Sequence, residues 1–336
     1  MKRLCLLLAL CLLLAGCGRT NREPYRITYL DLFDTVTTVM GTAENEETFR
    51  EQAQQIYGQL KMYHQLFDIY NAYEGLNNLK TVNDQAGIGP VTVDGAIIEL
   101  LLDCKDHYEL TGGKVNAAMG SVLSLWHGAR AQGIESPETA SLPDKNALAQ
   151  AAKHMDFDSV IIDEAASTVF ITDPQLSLDV GAIAKGWACQ KVAETAPEGL
   201  LISVGGNVCA TGPKTSDGTP WVVGIQDPHK GGYLKTLCIT GGAVVTSGDY
   251  QRTYTVDGKA YHHIIDPATQ MPATHWCSVT VVCEDSGLAD ALSTALFLLP
   301  LEEGKALAAQ CNAQALWLDA AGTIFTTPGF ETLIQK

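Results

Sequence analysis

The sequence predicts a mixed α/β (α+β) fold, with largely antiparallel sheets packed against helices. Three observations predict it. Two amphipathic helical segments occupy the first half of the chain. Short β-branched runs joined by brief polar turns fill much of the second half, which is the pattern of hairpins. Helices interrupt those strands at irregular intervals, so there is no regular βαβ series.

The chain opens with Lys2 and Arg3, an apolar run from Leu4 to Leu14, the small pair Ala15-Gly16, and Cys17. That order is a secretory signal peptide, and the run falls short of the roughly 20 apolar residues that a membrane span needs. LAGC at 14–17 also fits the bacterial lipobox, in which the cysteine is acylated and becomes the new N-terminus. Two or more acyl chains anchor a protein stably. The expectation is therefore a signal over 1–16, a lipidated tether over 17–25, and one domain over 26–336. The polar stretch Gly18 to Glu23 reads as the solvated part of the tether, and the domain is expected at the membrane, on its extracytoplasmic face.

Residues 26–40 read as strand, running into Met40-Gly41-Thr42. Over 44–68, Phe49, Ala53, Ile56, Tyr57, Leu60, Tyr63 and Phe67 recur on one helical face. A second amphipathic helix covers 94–110 and ends at Gly112-Gly113. The small and polar residues of 128–146 read as a variable surface segment. VIID at 160–163 and TVFIT at 168–172 form a hairpin. Then follow a strand over 176–180, a helix over 182–195, strands over 200–204, 221–225 and 235–246, and a hairpin around Asp257-Gly258. A strand over 278–283, a helix over 287–299, and a last helix and hairpin over 302–326 close the chain.

The net charge is −16, and without residues 1–16, which carry two basic and no acidic side chains, it is near −18. So acidic a protein is a poor binder of nucleic acid through its phosphates. The same charge repels an anionic nucleotide unless a metal ion or main-chain N–H groups compensate. Beyond Cys5, Cys11 and Cys17, seven cysteines remain: Cys104, Cys189, Cys209, Cys238, Cys277, Cys283 and Cys311. None forms a CxxC pair, and most sit in apolar surroundings as small buried hydrophobes.

Four segments carry polar or glycine residues inside otherwise buried elements. In LSLDVGAIAKGWA at 176–188, Asp179 ends a strand, Gly181 turns, and a helix begins with Lys185 one turn in. A helix N-terminus suits a phosphate, although Asp179 as a cap and Lys185 as a solvated side chain explain the pattern equally well. In LADALSTALFLLP at 288–300, Asp290 and Thr294 share a helix face, with Ser293 beside them. A buried carboxylate needs a partner, and carboxylate and hydroxyl oxygens suit Mg2+, although an Asp favoured by the helix dipole, with Thr294 bonding its own backbone, also explains the pattern. In AVVTSGDYQRTY at 243–254 and YHHIIDPATQMPA at 261–273, a polar turn precedes the adjacent His262 and His263. On a strand these two face opposite sides. In LLISVGGNVCATGP at 201–213, Gly205-Gly206 marks either a close backbone approach or a tight turn.

Together the segments resemble the ApbE family, the FAD:protein FMN transferases. The resemblance rests on MGT at 40–42, FDIY at 67–70, GGKVNAAMG at 112–120, DVGAIAKGWA, ISVGGN, VGIQDP, TSGDY, HIIDPAT and ADALSTA, in that order. It implies a T-fold-like architecture and an enzyme that cleaves the FAD pyrophosphate, places FMN on a Thr or Ser hydroxyl of a target protein, and releases AMP. It implies acceptors among the flavoprotein subunits of Rnf-type and Na+-translocating NADH:quinone reductase complexes. Met40, Tyr70, Lys114, Val115, Asn116, Asp179, Lys185 and Ile265 are then expected to contact FAD. Ala182 (through its main-chain oxygen), Asp290 and Thr294 are expected to hold Mg2+, with Ser293 beside them. His263 is expected to be the base that takes the hydroxyl proton. The chain departs from the family pattern at Lys114-Val115-Asn116, at Gln270 where a glycine is usual, and at Ser293 where some members carry a carboxylate. Two other readings fit the same residues: a Mg2+-dependent FAD pyrophosphatase, and a flavin-binding lipoprotein without activity.

Overall fold

The computed structural model describes residues 24–336. The signal-like segment 1–16, Cys17 and the tether as far as Arg22 and Glu23 lie outside the described residues.

The first strand read from the sequence is a hairpin, β1 (Tyr25–Leu32) and β2 (Thr35–Gly41), paired antiparallel. Phe33 and Asp34 make its two-residue turn with φ of 52° and 51°, the left-handed backbone that tight hairpins need. The turn carries no glycine, so its signal is absent from the sequence.

The chain continues through α1 (Glu46–Phe67), α2 (Leu79–Asp84), β3 (Val91–Thr92) and α3 (Gly95–Leu110). Asn45 caps α1 by accepting from Thr48 N at 2.9 Å, and Glu46 and Glu47 in the first turn suit the helix dipole. α4 (Gly120–Glu135) runs into the segment read as surface loop, and α5 (Lys145–Ala151) follows. The small residues of α4 have a packing reason: a Cβ at Gly133 would lie 2.6 Å from the Tyr254 ring.

The hairpin β4 (Val160–Asp163) and β5 (Thr168–Ile171) forms as expected. The strand expected over 176–180 does not form. That segment has one isolated bridge, Met119 to Ser177. Its groups are satisfied instead by Asn83, which bonds both N and O of Leu178, and by Ala117 O, which accepts from Asp179 N. α6 (Ala184–Thr195) follows, then β6 (Leu200–Val204) and β7 (Asn207–Ala210). Gly205 and Gly206 form the turn between β6 and β7, both with positive φ, so the tight-turn reading holds.

β8 (Trp221–Gln226) pairs with β9 (Tyr233–Ile239), and β10 (Gly242–Gly248) follows. β11 (Tyr254–Val256) and β12 (Lys259–Tyr261) make the hairpin around Asp257-Gly258, and β13 (Ile265–Asp266) pairs with β14 (Met271–Pro272). β15 (Ser278–Cys283), α7 (Ser286–Leu298), α8 (Leu301–Gln310), β16 (Gln314–Leu318) and β17 (Ile324–Thr326) complete the order. His262 and His263 fall in the bend between β12 and β13 rather than within a strand.

The central sheet has the order β1-β2-β6-β7-β10-β15-β16-β17, and every neighbouring pair in it is antiparallel. Alternate residues of each strand serve opposite faces. Val39, Ile202, Cys209, Val245 and Val281 meet the layer of α1, α3, α6 and α7. Val244, Val282 and Leu316 meet Trp221, Val223 and Leu237 of the β8–β9 hairpin on the other side. α7 is buried almost all round, as a helix sandwiched in a core must be. The seven cysteines are free thiols, and Cys104, Cys189, Cys209 and Cys277 are buried.

Candidate active site

The start of α6 meets α7 at Gly186. A Cβ there would collide with Ser286 O and Asp290 Cβ, so only glycine lets the two helices approach this closely. The contact changes the hydrogen bonding of the first turn. Gly186 N–H donates to Asp290 Oδ2 at 2.8 Å. In a continuous helix it would donate to Ala182 O, so the Ala182 carbonyl does not receive that helical bond.

Asp290 is 4 % exposed, and burial raises its pKa against the opposing pull of Lys185 and the Gly186 N–H. Lys185 Nζ lies 3.7 Å from Asp290 Oδ2 and donates to Gly181 O at 3.1 Å. The Asn207 amide nitrogen, buried and without a well-formed hydrogen bond, also sits beside the carboxylate. Ser293 is fully buried and bonds Asp290 O at 2.9 Å and Ser247 Oγ at 2.8 Å. Its hydroxyl is thus committed to the fold, whereas Thr294, four residues after Asp290 on the same helix, is half-buried. Among the described residues no cluster of three or more His, Cys, Asp or Glu is placed to hold a metal. The donors available are a carboxylate, a main-chain carbonyl and a hydroxyl, which are hard oxygens that fit Mg2+ completed by water and phosphate. They do not fit zinc.

His262 and His263 point to different surroundings. His262 packs edge-on against Phe297 and donates from Nε2 to Ala273 O at 2.8 Å, so it belongs to the core. His263 Nδ1 lies 3.2 Å from Gln251 O. A carbonyl only accepts, so Nδ1 carries the proton and the Nε2 lone pair is left free. Burial first, then the charges of Arg252 and Lys185, push the His263 pKa down to about 3. The ring is neutral at pH 7 and shares its space with Lys185.

A third group is tied to these through Arg252, whose charge acts on both His263 and His127. Tyr70 Oη is 2.9 Å from His127 Nδ1, and His127 Nε2 is 4.0 Å from Asp179 Oδ2. Asp179 Oδ1 also accepts from Gly181 N at 2.9 Å, which shapes the turn into α6. Arg130 and Arg252 flank Tyr70 and His127. Burial of its hydroxyl end, with Asp179 nearby, raises the Tyr70 pKa to about 12.

The remaining expected contacts are placed differently. Lys114 Nζ binds Asp266 Oδ1 at 3.1 Å. Val115 is 1 % exposed, and Asn116 spends its side chain on Met155 O and Ala118 N. These two can offer a ligand only their main chain. Ile265 is buried in the cluster of Met119 and Trp126. Met40 packs beneath the β8–β9 hairpin, across the sheet from α6 and α7, so its side chain does not join the Lys185–Asp290 group. His127, Arg130 and Arg252 were missed from sequence. His127 and Arg130 are three apart on α4, one helical face, but Arg130 fell in the 128–146 stretch read as variable surface and His127 just before it.

The sequence profile of the ApbE family matches residues 26–317. The chain is 37 % identical over 248 residues to an FAD:protein FMN transferase of Treponema pallidum, covering 68 % of this chain and 67 % of that one. It is 32 % identical over 259 residues to one of Klebsiella pneumoniae, covering 75 % and 77 %. The fold superposes on the ApbE protein of Thermotoga maritima with a TM-score of 0.82 at 28 % identity, over 94 % of this chain and all of that one. For the flavin transferase ApbE from Vibrio cholerae the TM-score is 0.75 at 21 % identity, over 92 % and 99 %.

Proposed function

We infer function from kinship, since this chain belongs to the ApbE family. The curated relatives it matches are FAD:protein FMN transferases, and this chain is a transferase that moves FMN from FAD onto a protein. In the finer reading put forward here the acceptor atom is a Thr or Ser hydroxyl, the leaving group is AMP, and the metal is Mg2+. The observation that carries this reading is the Gly186–Asp290 bond, which holds a buried carboxylate and leaves the Ala182 carbonyl without that helical bond at one helix start.

Ala182 O, Asp290 and Thr294 would hold the metal, with Ser293 fixing the Asp290 turn of α7. Bound there, Mg2+ would offset the charge on the pyrophosphate. Lys185 and Arg252 face the same space and attract the phosphates into an otherwise acidic protein. Tyr70, Lys114 and Asp179 border the flavin side, and the main chain at Val115, Asn116 and Ile265 lines it. His263 accepts the hydroxyl proton at Nε2 while the acceptor oxygen bonds the FMN phosphorus. The bond from that phosphorus to the bridging oxygen breaks, and AMP leaves with the electron pair. A pKa near 3 makes His263 a weak base in the free protein. Burial is the larger cause, and pyrophosphate beside Arg252 and Lys185 would offset only the two charges that add to it.

The acceptors proposed are flavoprotein subunits of Rnf-type and Na+-translocating NADH:quinone reductase complexes. The protein would sit on the extracytoplasmic face of the cell membrane, anchored through acylated Cys17. The pattern ending in LAGC at 14–17 supports this, and a tether raises the effective concentration of enzyme at membrane acceptors. The test is to incubate the protein with FAD, Mg2+ and a candidate acceptor subunit. Flavin fluorescence that survives SDS on the acceptor band is expected. Free FMN and AMP released at the same rate without acceptor would replace the transferase reading with a pyrophosphatase.

A further inference from the structure

We propose that His127 is a positioning residue for the flavin substrate, bridging Tyr70 and Asp179 so that three separate elements present one preset wall. The proposal rests on the reading that this cleft takes FAD.

The three residues come from the loop after α1, from α4 and from the turn before α6. The Tyr70 backbone is already held. Asp68 accepts from Tyr70 N, Asn71 N, Asn71 Nδ2 and Tyr73 Oη, all within 3.0 Å. The side chain is not held by packing, because Tyr70 is 60 % exposed. Its only side-chain hydrogen bond among the described residues is the 2.9 Å contact to His127 Nδ1. That contact therefore sets which way an exposed aromatic face points.

The chemistry of the bridge has one consistent form. The groups facing the His127 ring are Tyr70, Asp179, Arg130 and Arg252. Burial and then the two guanidiniums depress its pKa against the pull of Asp179, so the ring is neutral at pH 7. A carboxylate beside Nε2 favours the proton on that nitrogen. Nδ1 is then an acceptor, and Tyr70, whose own pKa is raised to about 12, keeps its proton and donates it. The 4.0 Å gap from Nε2 to Asp179 is too long for a direct hydrogen bond, so Asp179 acts on the ring through its charge rather than through a shared proton.

The experiment has a part that needs no FAD. NMR of the free protein labelled with 15N-histidine should show His127 as the Nε2–H tautomer, and Tyr70→Phe should shift its Nδ1 resonance. An Nδ1–H tautomer, or no shift with Tyr70→Phe, overturns the bridge. With FAD, His127→Ala should raise KM about tenfold, the worth of one hydrogen bond, with kcat within about twofold. His127→Asn places an acceptor where Nδ1 was and should recover most of the loss, whereas His127→Gln should not. The double variant Tyr70→Phe/His127→Ala should bind FAD no worse than either single variant. Additive losses, or an unchanged KM in His127→Ala, refute the positioning role, and the Asn and Gln pair decides if the alanine variant does not fold. Wild-type protein that binds no FAD would sink the transferase reading while leaving the tautomer result to judge the bridge.

Discussion

A carboxylate buried in an apolar helix costs free energy unless a charge or ligand meets it. Asp290 has a Gly186 N–H and a lysine at 3.7 Å, yet its pKa is still raised. Asp290→Asn keeps an acceptor for Gly186 and removes the charge. If Asp290 holds Mg2+ as proposed, transfer should fall by about 100-fold or more, while the melting temperature holds or rises, because the unfavourable buried charge is gone. Activity near wild type would remove α7 from the mechanism. His263 makes a different kind of prediction. Its folded pKa, about 3, lies below the ordinary histidine value of roughly 6.5. Between those limits the unfolded chain binds the proton and the folded one does not, so unfolding takes up a proton. Stability therefore falls as pH drops from about 6.5 towards 3 and is unaffected by this group above 6.5. His263→Gln should lose less stability than wild type between pH 7 and pH 4 in calorimetric melts, and should slow transfer while sparing FAD affinity. Equal slopes would show that the ring titrates normally. Gln270, standing where the family usually has glycine, still adopts φ of 56°. Its carbonyl accepts from Trp126 Nε1 and its side-chain amide donates to Pro267 O, so these bonds hold the left-handed turn that glycine would adopt freely.

At the level of elements, the site depends on how α6 and α7 lie against each other. Gly186 is the point of closest approach, and the helix-start geometry that leaves Ala182 O without its helical bond follows from it. Gly186→Ala would force the helices apart at Ser286 and Asp290, costing about 1–3 kcal/mol as overpacking does. Urea titrations should show the lower midpoint, and transferase activity should fall further than stability alone explains if the proposed metal site lies here. A midpoint equal to wild type would mean the backbone relaxes without cost. The missed elements fail for local reasons. Helix propensity does not favour the glycines of α4, and two of them are explained only by close packing, Gly120 against Ser177 O and Gly133 against the Tyr254 ring. The β1–β2 turn uses Phe33 and Asp34 in a conformation that their types do not announce.

Across the whole molecule, one eight-stranded antiparallel sheet separates two layers. The proposed catalytic groups lie on the helix side, and the β8–β9 hairpin covers the other face, taking Met40 with it. Positive side chains gather at the cleft in a chain of net charge −16, so the site is a local exception to the field of the protein. If Cys17 carries the proposed lipid, Cys17→Ser should move the protein from the membrane to the released fraction in cell fractionation. Retention at the membrane would point to another attachment.

The order of the motifs identified the family, and helical spacing located α1, α3 and α7 with Asp290 on the buried helix, because periodicity and chemistry are local properties of the chain. Asp179 and Lys185 were equally legible, as were His262 and His263 as a pair. The choice of His263 came from the family resemblance and not from spacing, since both histidines lie in a bend whose direction depends on Gln251 and Phe297. Nor could spacing show that Asn116 is spent on Met155, that Met40 lies across the sheet, or that His127 reaches Tyr70 from 57 residues away. Those contacts join residues far apart in sequence, and the free energy that brings them together belongs to packing between layers rather than to any one segment.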